Sequence, residues 1–272
     1  MDCFFVNLPL IWIEDHPGLL DRFLTQGLQP EIGLEGLDLD DPADWQLARD
    51  TAETLARADR SHTVHLPFTG LYPAARDPEI LAHTRRDLAK ALGLARLFSP
   101  KRLVGHPYLH QERTSEGLRQ AVQRAAETWT EVLAAWPGHP PLGLENTHEL
   151  SPAPLVELFT LLAGQGTGAC FDVGHWHAFA RGASRGDLLS WVSALAPFLN
   201  HVHLHDNDGS FDQHLGLGLG RIDWATFFGL LEHKGLAPSL TMEPHTEADC
   251  AVSLAFVRAH RAWFPAAREV GS

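Results

Sequence analysis

HVHLHDNDGSFDQH, residues 201–214, sets four histidines and three aspartates in fourteen positions. The first half alternates His, Val, His, Leu, the two-residue period of a strand whose successive side chains face opposite sides. The second half, rich in Asp, Asn, Gly and Ser, has the composition of a loop. Imidazoles and carboxylates are thus concentrated where a strand ends and its loop begins.

Working outward, the same pattern recurs. Short apolar runs predict strands at 3–7, 31–34, 62–66, 102–105, 141–145, 168–172, 200–204 and 239–243. Amphipathic stretches predict helices at about 17–27, 42–59, 78–97, 113–136, 152–163, 185–196, 223–234 and 247–264. Asp41 before Pro42, Ser151 before Pro152 and Asp223 before a helical run are start signals, because an oxygen cap or a first-turn proline deals with the unpaired amides. Eight strand-then-helix units predict an α/β fold, a single (β/α)₈ TIM barrel spanning 1–272 as one domain. No Gly/Ser/Pro linker or low-complexity tract interrupts it.

Composition narrows the function. Hydrophobic residues make up 44% and charged residues 20%, the balance of a globular chain with a substantial core. Acidic residues outnumber basic ones 34 to 21, for a formal charge of −13. Proteins that grip duplex nucleic acid neutralise phosphates with Lys and Arg, so duplex binding is disfavoured. The N-terminus lacks a basic signal-peptide region and reads as a buried first strand. No apolar run reaches the ~20 residues of a membrane span. Cys3, Cys170 and Cys250 are scattered and lack a CxxC pair, which argues against a disulfide framework or thiolate zinc site. The expected location is the cytoplasm.

Barrel chemistry is built at strand C-terminal ends. Nine potential metal ligands fall there: His65 ends the third strand, His106 follows the fourth, Glu145 ends the fifth, Asp172 and His175 follow the sixth, His203 ends the seventh with Asp212 and His214 in the loop after it, and Glu243 ends the eighth. Imidazole with carboxylate suits Zn²⁺, Mn²⁺, Fe²⁺ or Co²⁺. Three carboxylates converging without a cation would repel one another.

The runs ENT (145–147), DVGH (172–175), HLHDND with DQHLGLGLGRIDW (203–224) and EPH (243–245) resemble the xylose isomerase-like barrels, over essentially the whole barrel. That superfamily joins sugar-phosphate isomerases and epimerases with endonuclease IV enzymes. The resemblance implies one metal on Glu145, Asp172, His203 and Glu243 in the epimerase branch, with Glu145 and Glu243 as acid and base. In the endonuclease IV branch it implies three zinc ions. His65, His106 and Glu145 would hold one, Glu145 bridging to a second on Asp172, His203 and Glu243; His175, Asp212 and His214 would hold the third. It also implies one to three ions per chain and a homo-oligomer.

The leading expectation is a divalent-metal-dependent isomerase or epimerase of a small sugar or sugar phosphate, passing a proton between Glu145 and Glu243 around an enediolate. The alternative is a trinuclear zinc phosphoesterase. His175, His214, Trp176 and Glu35 are candidate substrate contacts, with Trp176 either an apolar wall or core packing and Glu35 either a residue facing the mouth or a solvent carboxylate. His62, His83, His139, His233 and His260 are read as structural. His201 is read as buried and hydrogen-bonded below the site, and His177 and His205 as intermediate. LGLGLG (215–220) lacks the Lys-Ser/Thr of a phosphate loop and is read as a close-packed segment fixing Asp212 and His214.

Overall fold

A computed structural model describes residues 4–109 and 114–264 of the chain. Cys3, and residue 113 at the start of the expected fourth helix, lie outside the described residues. Strands β1 (Phe4–Pro9), β2 (Pro30–Gly33), β3 (Thr63–His65), β4 (Leu103–Gly105), β5 (Leu142–Glu145), β6 (Thr167–Asp172), β7 (Leu199–Leu204) and β8 (Ser239–Met242) form the sheet. Each pairs in parallel with the next, and β8 closes on β1 through Phe4–Leu240, Phe5–Thr241 and Val6–Met242. The expected α/β barrel is therefore the observed one, and every strand lies within two residues of its predicted limits.

The long helices form the outer layer: α3 (Pro42–Arg57), α4 (Pro78–Phe98), α5 (Ser115–Ala134), α6 (Ala153–Leu161), α9 (Leu188–Leu195), α10 (Trp224–His233) and α11 (Glu247–Ala259). Asp41 and Asp223 cap as expected, accepting from the amides of Ala43 and Thr226. Ser151 does not: Pro152 occupies the capping position of α6, with no side-chain cap bond. The expected helix at 17–27 is shorter, α2 (Leu19–Thr25), and follows a separate α1 (Leu10–Asp15). Two further short helices, α7 (Val173–Ala178) and α8 (Gly182–Arg185), precede α9 and were not expected. Their lengths of six and four residues hold too few turns to show a period in sequence.

Helices and barrel meet across side chains that exclude water. Trp129 of α5 is fully buried over Gly105 of β4, where an added Cβ would come within 2.8 Å of the indole. The contact draws α5 against the wall and leaves the loop after β4 to carry His106. No helix among the described residues is long and apolar enough to cross a membrane.

Candidate metal centre

Each candidate ligand position is set by local structure. Asn146, just past β5, bridges to the neighbouring strand: its amide donates to Asp172 O and its carbonyl accepts from Asp172 N, both at 2.9 Å. The bridge aligns Glu145 with Asp172 at adjacent strand ends. Asp172 also caps α7, accepting from His175 N at 2.5 Å, so one short helix turn returns His175 over the barrel mouth. Asp206, fully buried, accepts from the amides of Asn207, Gly218 and Ile222 and from the Trp224 indole, which folds the segment carrying Asp212 and His214 over the same mouth.

Ring orientation is fixed by carbonyls, which can only accept. His65 Nδ1 donates to Leu66 O (2.8 Å) and His214 Nδ1 to Glu243 O (2.9 Å). His175 Nδ1 lies between Asn146 O (3.0 Å) and Glu145 Oε1 (2.9 Å), two more acceptors. In each neutral imidazole the remaining nitrogen, Nε2, then presents a lone pair. Those lone pairs face carboxylate oxygens: His65 to Glu145 Oε2 at 3.3 Å, and His175 and His214 to Asp212 Oδ2 at 3.3 and 3.0 Å. Acceptor facing acceptor in a buried site requires a proton or a metal ion between them. A committed Nδ1–H with Nε2 turned inward is how metal-bound histidines are held.

His203 has the opposite orientation. Its Nδ1 lies 3.1 Å from Glu145 Oε2, 3.1 Å from Glu243 Oε1 and 3.9 Å from Asp172 Oδ2. Neither ring nitrogen makes a hydrogen bond of acceptable geometry, although the ring is fully buried. Around a tetrahedral ion with bonds of about 2.0–2.1 Å, ligands stand about 3.3 Å apart. Most of these separations are close to that edge.

The nine expected ligands thus come together in three adjoining groups: His65, His106 and Glu145; Glu145, Asp172, His203 and Glu243; His175, Asp212 and His214. Their chemistry fits divalent ions. Burial opposes ionisation of Glu145, yet His203, His106 and His175 outweigh it and hold the carboxyl well below its usual range. Glu243 is raised, first by burial and then by the Glu145 and Asp172 carboxylates. His203 overcomes its own burial because Cys170, Glu243, Glu145 and Glu31 surround it, and it stands well above the usual imidazole range. A cation centred here would take over the balancing done by those protons.

Two expected contacts lie elsewhere. Trp176 is buried in the core, its indole N–H donating to Asp187 (3.0 Å) and its ring packed over Gly182. Glu35 does not reach the mouth as a free carboxylate; it accepts from Phe68 N (2.8 Å) and Thr69 N (3.3 Å), bracing the segment after His65. His201 is fully buried and hydrogen-bonded, with Ser239 at 2.5 Å and Thr241 at 2.9 Å.

The sequence reading missed Glu31 and underrated His205. Glu31 is buried at the barrel axis, 3.0 Å from His203 Nε2. An acid in the middle of a buried strand was the available signal, since such a group needs a partner. His205 Nε2 is 3.1 Å from both Asp172 oxygens, and its Nδ1 lies 3.4 Å from Asp212 Oδ1. Its ring stacks on His214 at 3.8 Å and 9°. His205 holds Asp172 through Nε2 and stands with His175, Asp212 and His214 as a further candidate ligand.

The family model for the xylose isomerase-like TIM barrel matches residues 30–263. The chain belongs to that family. TTHB071 protein from Thermus thermophilus, solved after soaking with ZnCl₂, is 31% identical over 95% of this chain and 97% of its own, with a TM-score of 0.76. A D-tagatose 3-epimerase-like protein is 20% identical with a TM-score of 0.77, covering 95% of this chain and 97% of that one. Endonuclease IV from Thermus thermophilus is 21% identical with a TM-score of 0.66, covering 96% and 98%. These last two share the fold. The uncharacterized protein MJ1311 of Methanocaldococcus jannaschii is 24% identical over 197 residues, which span 70% of this chain and 66% of that protein.

Proposed function

We propose that this family member is a multinuclear metal-dependent hydrolase of small phosphate esters. The observation that carries the reading is the position of Glu145 Oε2. Imidazole nitrogens from three strand ends converge on that single oxygen: His65 at 3.3 Å, His106 at 3.2 Å and His203 at 3.1 Å. Such an oxygen would serve the first two ligand groups together. It is poorly placed to exchange a proton with a substrate carbon, because Glu145 is only 1% exposed.

The donor sets of the three groups would hold about three ions, and divalent ions so held supply Lewis acidity toward phosphoryl oxygens and make water a stronger nucleophile near neutral pH. The chain's residues do the positioning. Asp212 ties His175 to His214 at the third group, and Asn146 holds the first two groups in register. Glu243, 8% exposed and raised above its usual range, can keep a proton at the edge of the site. The formal charge of −13 favours a small ester over a long polyanion.

A second reading, isomerisation or epimerisation of a small sugar or sugar phosphate, draws support from the opposite shifts of Glu145 and Glu243, the pattern of an acid–base pair. Elemental analysis of protein purified without added metal, beside assays on chromogenic phosphomonoesters and phosphodiesters and on ketoses and their phosphates, separates the two. The hydrolase predicts about three zinc ions per chain with phosphoesterase turnover. Changing both Asp212 and His214 to alanine should remove about one of these ions together with the activity. One manganese or cobalt with ketose turnover would replace the hydrolase by the isomerase.

A further inference from the structure

The mouth of the barrel does not account for Glu31. This carboxylate lies inside the barrel, fully buried, and its two oxygens have different tasks. Oε2 is held by three groups: Thr63 Oγ1 donates at 2.7 Å, Thr241 Oγ1 at 3.0 Å, and His201 Nε2 lies at 3.2 Å. His201 is held in turn by Ser239 Oγ at 2.5 Å, to which Arg102 Nε donates at 3.0 Å. A polar column thus rises from the half-buried Arg102 through Ser239 and His201 to the fully buried Glu31. Oε1 makes no hydrogen bond of standard geometry and faces one nitrogen, His203 Nε2, at 3.0 Å.

The consequence falls on the metal centre. A carboxylate can only accept, so its presence at Nε2 favours the tautomer with the proton there. Nδ1 then keeps its lone pair toward Glu145, Asp172 and Glu243, where a ligand nitrogen is needed. The other oriented histidines, His65, His175 and His214, are fixed by main-chain carbonyls and use Nε2. His203 is oriented by a charged side chain and uses Nδ1. A carboxylate partner also makes the imidazole more basic and so a stronger donor to a metal.

We propose that Glu31 is a positioning residue that acts through His203 to set how tightly the Glu145, Asp172, His203 and Glu243 group retains its metal. The proposal rests on the reading of that group as a metal site. Thr63, Thr241 and His201 hold Glu31 in place, so the column below the site serves metal retention.

The test compares wild type with Glu31→Gln and Thr241→Val. Zinc content is counted after dialysis, and zinc affinity is measured by competition with a chromogenic chelator. Folding is checked by melting in excess zinc, and the His203 tautomer is read by long-range ¹H–¹⁵N correlation. Wild type should show a protonated Nε2 and a zinc-bound Nδ1 on His203. Glu31→Gln, nearly identical in shape, should weaken the tightest zinc by about 10–100-fold and lose about one ion on dialysis. Thr241→Val keeps the charge but frees one oxygen contact, and it should weaken zinc by a smaller factor in the same direction. If Glu31→Gln does not fold, the Thr241→Val result decides, with unchanged affinity overturning the proposal. If Glu31→Gln folds and holds zinc as wild type does, the proposal fails while the metal site stands. Wild type that binds no zinc overturns the metal reading itself, and with it this one.

Discussion

Glu243 differs from the other acids of the centre because its carboxyl is raised while those of Glu145 and Asp172 are lowered. It touches His203 Nδ1 and borders the mouth, so it combines a ligand position with a group able to hold a proton. Glu243→Gln keeps the shape and removes both properties. We expect kcat to fall at least about a hundredfold, the scale of a lost general acid or base, with an unchanged circular dichroism spectrum. Wild-type turnover in that variant would remove Glu243 from the chemistry. The convergence of the nine candidate ligands was legible in sequence because charged and imidazole groups recur at strand ends, where burial demands a partner. Trp176 was not. Adjacent residues on a helix point about 100° apart, so α7 turns His175 to the mouth and the neighbouring indole into the core. Glu35 was misread because its carboxylate turns to backbone amides of the next loop, a choice that composition does not reveal.

At the scale of the element, the segment from Asp206 to Trp224 folds over the site. Asp206 and Leu215 exchange both backbone hydrogen bonds, at 3.0 and 2.9 Å, pinching the intervening residues into a closed loop that carries Asp212 and His214. Gly220 lies against that pinch. A Cβ there would overlap Asp206 Oδ1 and come within 2.5 Å of Asn207 O, and the latter, being backbone, has little freedom to yield. The sequence reading of LGLGLG as close-packed is matched by these contacts. Gly220→Ala should cost about 1–3 kcal/mol through overpacking and loosen the third ligand group before the barrel itself. The expected signature is a lower melting temperature with preferential loss of the metal bound by His175, Asp212 and His214. A variant with wild-type melting and metal content would show that the loop tolerates the methyl group and does not fix the ligands. Long helices were legible because their period repeats several times, and the strands because short apolar runs mark strands buried on both faces. α1, α7 and α8 were hidden because they are too short to repeat, and α7 begins at a cap, Asp172, that reads equally well as a ligand.

For the whole molecule, the centre gathers buried acids and imidazoles that must balance one another when no cation does so. Burial lowers the His214 imidazole, but Asp212 and Glu243 outweigh it and lift it to about 8; His203 and His175 are likewise raised well above the usual imidazole range by the carboxylates around them. A group raised on folding contributes stability that is fully present below its unfolded pKa, about 6.5 for histidine, and is lost as pH rises through the folded value. Metal-free protein should therefore lose stability between about pH 6.5 and 8 as His214 gives up its proton, and His175 and His203 act in the same direction as pH rises. Metal-loaded protein should respond in the opposite sense. Ligand nitrogens must be deprotonated to bind, so rising pH strengthens the complex. A metal bound only to the folded chain adds about 4 kcal/mol at a thousandfold excess over Kd, equivalent to several degrees of melting temperature. The difference in melting temperature between zinc-loaded and EDTA-equilibrated protein should accordingly widen from pH 6 to pH 8. Thermal melts of both forms across that range, with metal content measured at each pH, provide the check. A difference that stays constant or narrows while zinc remains bound would mean that these histidines are not the ligands. A melting temperature indifferent to chelation at every pH would mean that the cluster holds its charges together without a metal.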